Sequence, residues 1–176
     1  REVMIVSINQ PAYLPWLGYF ERIAQSDIHV ILDHVQFEKN SFVNRNKVPG
    51  PNGPVWLTVP VSTKGKFGDL AINKLQISNG QPWAKKQWRT IKMIYQKSPF
   101  FADHAEFFED TYQREWKSLS DLCYHFTNYL LEHFDIKTKL WHSSDIGVSS
   151  IKSDMVLDLC KALRATKYIS GAQGRD

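Results

Sequence analysis

The chain has 176 residues, of which 43% are hydrophobic and 13% are aromatic. This length and composition fit one sizeable core, and they exclude intrinsically disordered and fibrous proteins. The 22 Lys and Arg residues outnumber the 18 Asp and Glu residues, which gives a formal net charge of +4. Such a modest surplus, spread along the chain, is compatible with an anionic ligand and does not by itself predict a nucleic-acid-binding protein.

Cysteine usage and hydropathy bear on the compartment. Cys123 and Cys160 are too few and too far apart for a zinc site or a disulfide framework, so we expect both to be buried free thiols. The sequence has no apolar run near the roughly 20 residues that span a bilayer, and its first residues lack the basic, apolar and small-residue order that is typical of a signal peptide. It therefore predicts a cytoplasmic protein without a membrane span. The turn-like residues 171–176 lead us to expect that the natural protein continues beyond them.

The N-terminal third predicts a strand, a helix and a second strand. Residues 3–8 and 28–32 are apolar runs typical of buried strands, and residues 18–26 between them have helical spacing. A right-handed crossover makes such strands parallel. The loop at 8–20 combines Pro, aromatic, amide and Gly residues, a composition that favours a ligand-facing loop at the end of a strand.

Two apolar islands at residues 42–48 and 55–61 flank the Pro- and Gly-rich segment 49–54, which predicts a hairpin. Residues 62–68 predict a flexible basic loop, and residues 75–77 a short strand. Helical periodicity then dominates, and the later elements we expect are helices at 81–97, 105–116, 119–133 and 153–164, ambiguous short β segments at 138–142 and 145–148, and a last strand at 168–170.

Strands at both ends with helices between them predict a three-layer α/β fold with a mostly parallel, Rossmann-like sheet. We expect a single α/β domain over residues 1–176, with residues 83–134 as a helical insertion or subdomain. Ligand sites in such folds lie at the carboxyl ends of the strands. The loops at 9–20, 33–47 and 170–176 are therefore expected to meet there.

The loop at 8–20, which we call the entrance loop, supplies candidate substrate-binding residues. The amide of Gln10 can donate and accept hydrogen bonds at a strand end, although it could equally satisfy loop backbone groups. Tyr13 and Tyr19 carry flat apolar faces with polar tips, which suit stacking on a sugar or base. Trp16 has the same character, but packing against the core is the more ordinary role for it.

Asp33 ends the second predicted strand and is the candidate catalytic residue, as a general base. A turn or helix-cap acceptor is the equally weighted alternative. His34 follows directly and can titrate near neutral pH. Adjacent side chains on an extended backbone diverge, so these two are not expected to act as a dyad.

Asn44, Arg45 and Asn46 form the candidate anion site. The planar guanidinium of Arg45 suits a phosphate or carboxylate, and the flanking amides could orient it. Lys64 and Lys66 could close over a phosphate, although a solvated loop is the safer interpretation. No phosphate-binding P-loop motif is present.

The C-terminal segment supplies Ser170 and Arg175, with Gln173, as further candidate ligand contacts. Ser170 is not predicted to be a nucleophile, because the Gly-x-Ser-x-Gly pattern is absent. The histidines are scattered without metal-ligand spacing, so no metal is predicted. No cofactor can be named from the sequence.

Several separated motifs, in this order, resemble the WbqC-like family: Gln10-Pro11, Tyr13, Pro15-Trp16, Gly18-Tyr19-Phe20, Asp27, Asp33, Val35-Gln36-Phe37, Asn44-Arg45-Asn46, the run 56–61, Tyr168 and Ser170-Gly171. Members are encoded among bacterial O-antigen and related surface-polysaccharide genes. The resemblance implies a protein of surface-polysaccharide assembly, without a particular reaction. Together with the amide- and aromatic-rich loop at 8–20, the anion motif at Arg45 and the candidate base Asp33, it leads us to expect a transferase that adds an acyl or aminoacyl group to a small, activated sugar, whose phosphate Arg45 would hold. The alternative is a noncatalytic nucleotide-sugar or glycan binder. A nucleic-acid partner is not implied.

The layout is also similar to that of the nucleotidylyltransferase superfamily, where a first strand leads to a His-x-Gly-His motif. The corresponding stretch here would be residues 16–19, in which Gly18 is kept and both histidines are replaced. Their loss removes donors that would stabilise charge on a transferring phosphate. This similarity therefore predicts the layout rather than adenylyl transfer.

Overall fold

The computed structural model describes residues 2–63, 65 and 69–171. Within these residues the strands are β1 (Ile5–Asn9), β2 (Ile28–Ile31), β3 (Arg45–Gly50), β4 (Gly53–Thr58), β5 (Lys139–His142) and β6 (Lys167–Ile169). The helices are α1 (Leu17–Ala24), α2 (Trp83–Tyr95), α3 (Phe101–Gln113), α4 (Leu119–His133), α5 (Ser143–Ile146) and α6 (Lys152–Ala162), with a 3-10 turn at Ile72–Lys74.

Four of these strands form a parallel sheet in the order β5-β2-β1-β6. The register places Ile8 opposite Val30 and Ile31 opposite His142. β1 and β2 are joined through α1, so the predicted strand, helix, strand unit with parallel strands is confirmed. All four carboxyl ends consequently meet at one edge of the sheet.

Helices cover both faces of this sheet. On one face, Val6, Ile8 and Val30 pack with Met155 and Leu159 of α6. On the other face, the buried residues Tyr19, Phe20 and Ile23 of α1 pack with Leu131 of α4. The predicted three-layer α/β fold with a mostly parallel sheet is thereby confirmed.

The predicted hairpin is a second, antiparallel sheet of β3 and β4. Its buried residues Val48 and Leu57 belong to a large core that includes Leu122 and Phe126 of α4. Gly50 is needed at the turn, since a Cβ there would lie 2.5 Å from Cγ2 of Val55.

Three local predictions differ from the structure. Residues 145–148 are not extended, because α5 occupies residues 143–146 and ends at Gly147, whose left-handed φ of 77° suits glycine. Residues 75–77 make isolated bridges rather than a strand. Cys123 is buried as expected, whereas Cys160 is half-buried; both are free thiols.

In the part of the chain that the structure describes, the helices are too short or too polar to cross a membrane.

Candidate functional site

Polar residues gather at the carboxyl edge of the parallel sheet. Gln10 follows β1, Asp33 follows β2, His142 ends β5 and Ser170 follows β6. The backbone N–H of Leu32 donates to the carbonyl of Asn9 at 2.8 Å, which keeps the ends of β1 and β2 side by side. The strand order therefore brings residues more than 100 positions apart to one edge.

The buried carboxylate of Asp33 is the centre of this edge. It accepts hydrogen bonds from the Ser143 hydroxyl at 3.1 Å, and from the Ser144 backbone N–H and hydroxyl, both at 3.0 Å. The Nδ1 atom of His142 lies 3.2 Å from Oδ2 of Asp33. Four donors thus converge on one carboxylate that is 5% exposed.

These contacts determine the ionisation of Asp33. Burial raises the pKa of the carboxyl group, but the hydrogen bonds from His142, Ser144 and Ser143 outweigh it and lower the pKa to about 2. A carboxylate with so low a pKa is a weak proton acceptor at neutral pH. The geometry favours an orienting role for Asp33 over the general-base role considered from the sequence.

His142 is the titratable group that Asp33 orients. The hydrogen bond with Asp33 raises the pKa of His142 above its ordinary value of 6.5, against the opposing effect of burial. Its side chain is 30% exposed. With Nδ1 committed to Asp33, Nε2 is the nitrogen that remains to exchange a proton with a ligand.

Ser143 joins a second histidine to the same cluster. Its hydroxyl has one hydrogen, which it donates to Asp33, while it accepts from the backbone N–H of Asp33 at 3.1 Å. The Nδ1 atom of His34 lies 2.6 Å from the same oxygen and therefore acts as the donor. Ser143 is 1% exposed, so it is a bridge within the cluster rather than an accessible nucleophile.

A cavity of about 10 Å³, the space of one water, lies beside this cluster. It is lined by Pro11, Tyr19, Ile31, Asp33, Ser120, Cys123, Tyr124, Thr127 and His142. Burial raises the pKa of the Cys123 thiol, which donates to the Val43 carbonyl, so Cys123 is not an activated nucleophile.

Two of the substrate-binding residues predicted in the entrance loop, Gln10 and Tyr19, lie at this edge. Gln10 is half-buried, and its backbone N–H donates to the side chain of Asn9 at 3.0 Å. Tyr19 is buried and donates from its hydroxyl to the Gln10 carbonyl at 3.1 Å. Tyr19 therefore positions the backbone of Gln10 and lines the cavity, while its ring packs in the core.

Tyr13 belongs to the core. It is fully buried, and its hydroxyl is shared with the side chains of Gln87 and Tyr112. No face of this ring is open to a ligand, so we assign Tyr13 to packing rather than to the substrate binding considered from the sequence.

The three residues predicted as an anion site lie at the start of the antiparallel sheet rather than beside Asp33: Asn44 directly precedes β3, and Arg45 and Asn46 are its first two residues. Asn44 is buried and donates to the Val59 carbonyl at 3.0 Å, and Asn46 donates to the Leu14 carbonyl. Arg45 donates to the Asn40 carbonyl at 2.7 Å. These amides bind backbone groups, so they do not orient the guanidinium as expected.

Arg45 also lies over an aromatic ring. Its Cζ atom is 4.0 Å from the centre of the Trp56 ring, and Nζ of Lys47 is 4.8 Å from the same ring. The ring and the Asn40 carbonyl hold the guanidinium on the antiparallel sheet. Within the described residues no hydrogen bond or ring contact connects Arg45 to Gln10 or Asp33.

One of the candidate ligand contacts in the C-terminal segment is described by the structure, and two are not. Ser170 is exposed and follows β6, at the same edge as Gln10. Arg175 and Gln173, like Lys64 and Lys66 of the basic loop, lie outside the described residues.

Sequence reasoning missed His142, Ser143 and Ser144. The available signal was that His142 ends a short apolar segment and is followed by two serines, at a place where a parallel sheet would collect polar groups. Among residues 2–63, 65 and 69–171, no three His, Cys, Asp or Glu side chains gather closely enough to hold a metal ion.

The protein is of the α/β class, and it carries a polar cluster at the carboxyl ends of its parallel sheet. The chain belongs to the WbqC-like protein family, whose model matches residues 10–176. It is 34% identical over 171 residues, 97% of this chain and 73% of the relative, to the uncharacterized protein Rv1507c of Mycobacterium tuberculosis strain H37Rv. No solved structure matches the chain.

Proposed function

We propose that this protein is a cytoplasmic transferase of bacterial surface-polysaccharide assembly, which adds an acyl or aminoacyl group to an activated, phosphate-bearing sugar. The observation that carries the proposal is the contact between His142 and the buried carboxylate of Asp33 at the carboxyl edge of the sheet. The surface-polysaccharide setting is part of the proposal and follows from what the resemblance to the WbqC-like family implies; the family match supports membership.

The pair supplies the proton transfer that such a reaction requires. When a sugar hydroxyl or amine attacks the carbonyl carbon of the donor, it must lose a proton. Nε2 of His142 takes this proton while Asp33 holds Nδ1–H and stabilises the imidazolium. As the bond between the acyl carbon and the donor's leaving atom breaks, the same proton passes to the leaving group.

Neighbouring groups at the edge suit the sugar. The Gln10 amide and the exposed Ser170 hydroxyl offer donors and acceptors for sugar hydroxyls. Gln10 directly follows β1, and Ser170 directly follows β6, the strand that pairs with β1. In this proposal Gln10 orients the acceptor, Ser170 contacts the sugar, and Asp33 acts through His142 rather than as the base itself.

The test is a direct search for product. The protein is incubated with UDP-sugars and dTDP-sugars, each combined with a pre-activated donor, either acetyl-coenzyme A or the coenzyme A thioester of a single amino acid, and nucleotide-sugar masses are followed by mass spectrometry. We expect one combination to gain the mass of an acyl or aminoacyl group, with a rate that rises with pH through the raised pKa of His142.

Two variants make the test specific. His142→Gln is expected to lower turnover by about 10²-fold or more, the usual contribution of a general base. His125→Gln is the matched control, since His125 lies on α4 against Phe107 and Thr111, away from the edge. Full turnover by His142→Gln overturns the catalytic assignment.

Binding without turnover contradicts the transferase. A nucleotide-sugar that raises the melting temperature and is recovered unchanged with every donor would establish the alternative, a noncatalytic nucleotide-sugar or glycan binder.

A further inference from the structure

A second, much larger concavity lies on the helical side of the molecule. It has a volume of about 680 Å³ and is bordered by the residues around the start of α1, by β3 and by α2, α3 and α4. Sites for small molecules usually measure about 300 to 1,000 Å³. We call this concavity the aromatic groove.

The walls of the aromatic groove are mainly apolar. The residues that line it include Leu17, Phe20, Ile91, Phe101, Phe108 and Leu130. Several lining side chains are unusually open to solvent for their type: Leu17 is 76% exposed, Phe100 72% and Phe134 46%. Large exposed apolar side chains grouped in one concavity mark a binding surface rather than ordinary scatter.

The groove has a basic and no acidic character. Among the described residues that line it, Lys47 carries a charge and no Asp or Glu is present, and His104 and His133 also border it. The two imidazole rings have centres 5.1 Å apart, and both are held by Tyr129: its hydroxyl lies 2.6 Å from Nδ1 of His104, and its carbonyl 2.8 Å from Nδ1 of His133. An apolar surface with a lysine and no acidic residue complements an apolar ligand that carries an anion.

We propose that the aromatic groove binds a single-chain anionic amphiphile, with a hydrocarbon chain along the apolar walls and a carboxylate at Lys47. Lys47 is exposed, and its Nζ lies 4.8 Å from the centre of the Trp56 ring. A carboxylate bound at Lys47 therefore stays in contact with water, while the hydrocarbon chain of the ligand is removed from water by the groove. The site does not rest on the proposed transferase, since its lining includes neither Asp33 nor His142.

The experiment is a calorimetric titration of the protein with dodecanoate below its micelle concentration. We expect saturable binding of one molecule per chain. Butanoate keeps the charge without the long chain, and dodecanol keeps the chain without the charge, so both are expected to bind more weakly.

Two matched pairs of variants locate the site. Leu17→Asp places a charge on the apolar wall at the first turn of α1, where an acidic residue is compatible with a helix, and is expected to weaken binding at least about tenfold. Leu157→Asp is its control, since Leu157 is 50% exposed on α6, outside the groove.

Lys47→Ala is expected to weaken dodecanoate binding roughly twofold to fivefold and to leave dodecanol binding unchanged. Lys139→Ala is its control, because Lys139 lies on β5, outside the groove, and its Nζ is 5.1 Å from the centre of the Trp141 ring. It is therefore a similar lysine stacked on a tryptophan.

Absence of saturable dodecanoate binding overturns the proposal, as does equal binding by Leu17→Asp and Leu157→Asp. If sedimentation shows a dimer that Leu17→Asp dissociates and dodecanoate leaves intact, a second copy of the chain covers the groove, and the proposal is wrong.

Discussion

Ser144 contacts the carboxylate of Asp33 twice, through its backbone N–H and through its hydroxyl, both at 3.0 Å. The contact through the backbone N–H satisfies a backbone donor at the start of α5. The contact through the hydroxyl is made to Oδ2, the same oxygen atom that lies 3.2 Å from Nδ1 of His142. Asp33 therefore links the fold of α5 to the position of His142. A loss of activity in an Asp33 variant has two possible causes, and these can be separated by pH and by NMR.

Asp33→Asn should lower stability in a pH-dependent way. The folded-state pKa of about 2 lies below the ordinary value of 3.8, so the carboxylate stabilises the fold fully above the ordinary value and progressively less as pH falls towards 2. At neutral pH the difference corresponds to about 2 kcal/mol. Urea unfolding at pH 7, 5 and 3 should show the wild-type and variant stabilities converging at low pH.

The control for this experiment is Asp158→Asn, since Asp158 accepts a single hydroxyl bond from Ser150 at 2.6 Å. Convergence at low pH should be larger for Asp33→Asn. Parallel stability curves for wild type and Asp33→Asn would show that the four contacts do not depend on the charge.

The titration of His142 should depend on Asp33. The neighbouring carboxylate raises the pKa of His142, so Asp33→Asn removes an anion and should lower that pKa towards or below 6.5. The Cε1 proton resonance, followed by NMR across pH 5 to 9, measures it directly. Because the imidazolium is stabilised in the fold, this contribution is complete below pH 6.5 and is lost as pH rises through the folded-state pKa. An unchanged titration in Asp33→Asn would separate the two residues.

The fold was largely predictable because its signals are local. The β-branched runs before residue 10 and at 28–32 identify the paired strands of the parallel sheet, and Pro and Gly residues identify the turn between β3 and β4. α5 was missed because a four-residue helix is too short to show periodicity, and its start depends on Asp33, more than 100 residues earlier.

The candidate site was harder to predict because its contacts are distant in sequence. The strand order explains why Asp33 meets His142 across 109 positions, and the sequence alone does not supply that order. A side chain's chemical type also leaves its partner open: the amides of Asn44 and Asn46 suit a ligand, yet both bind backbone carbonyls. Tyr13 is similar, because an aromatic residue with a polar tip suits a buried network as well as a sugar.

Tyr13→Phe should destabilise the protein and leave the candidate site intact. The Tyr13 hydroxyl is shared between Gln87 and Tyr112, so its removal leaves buried polar groups without a partner, at a cost of about 1 to 3 kcal/mol. Chemical denaturation measures the loss, with Tyr168→Phe as the control because Tyr168 is 39% exposed. A stability equal to that of wild type, with loss of ligand binding, would return Tyr13 to the ligand site.

Gly50→Ala should destabilise the antiparallel sheet through a steric clash. An added Cβ would lie 2.5 Å from Cγ2 of Val55 and 2.7 Å from the Gly53 carbonyl oxygen, and the backbone atom cannot rotate away. Forced overpacking of this kind costs about 1 to 3 kcal/mol. Gly80→Ala is the matched control, since a Cβ there meets no atom within 4 Å. Urea unfolding, followed by tryptophan fluorescence that includes Trp56 on β4, should show the loss for Gly50→Ala alone. Equal stability of the two variants would mean that the turn relaxes without cost and that the close approach of β3 and β4 is not needed there.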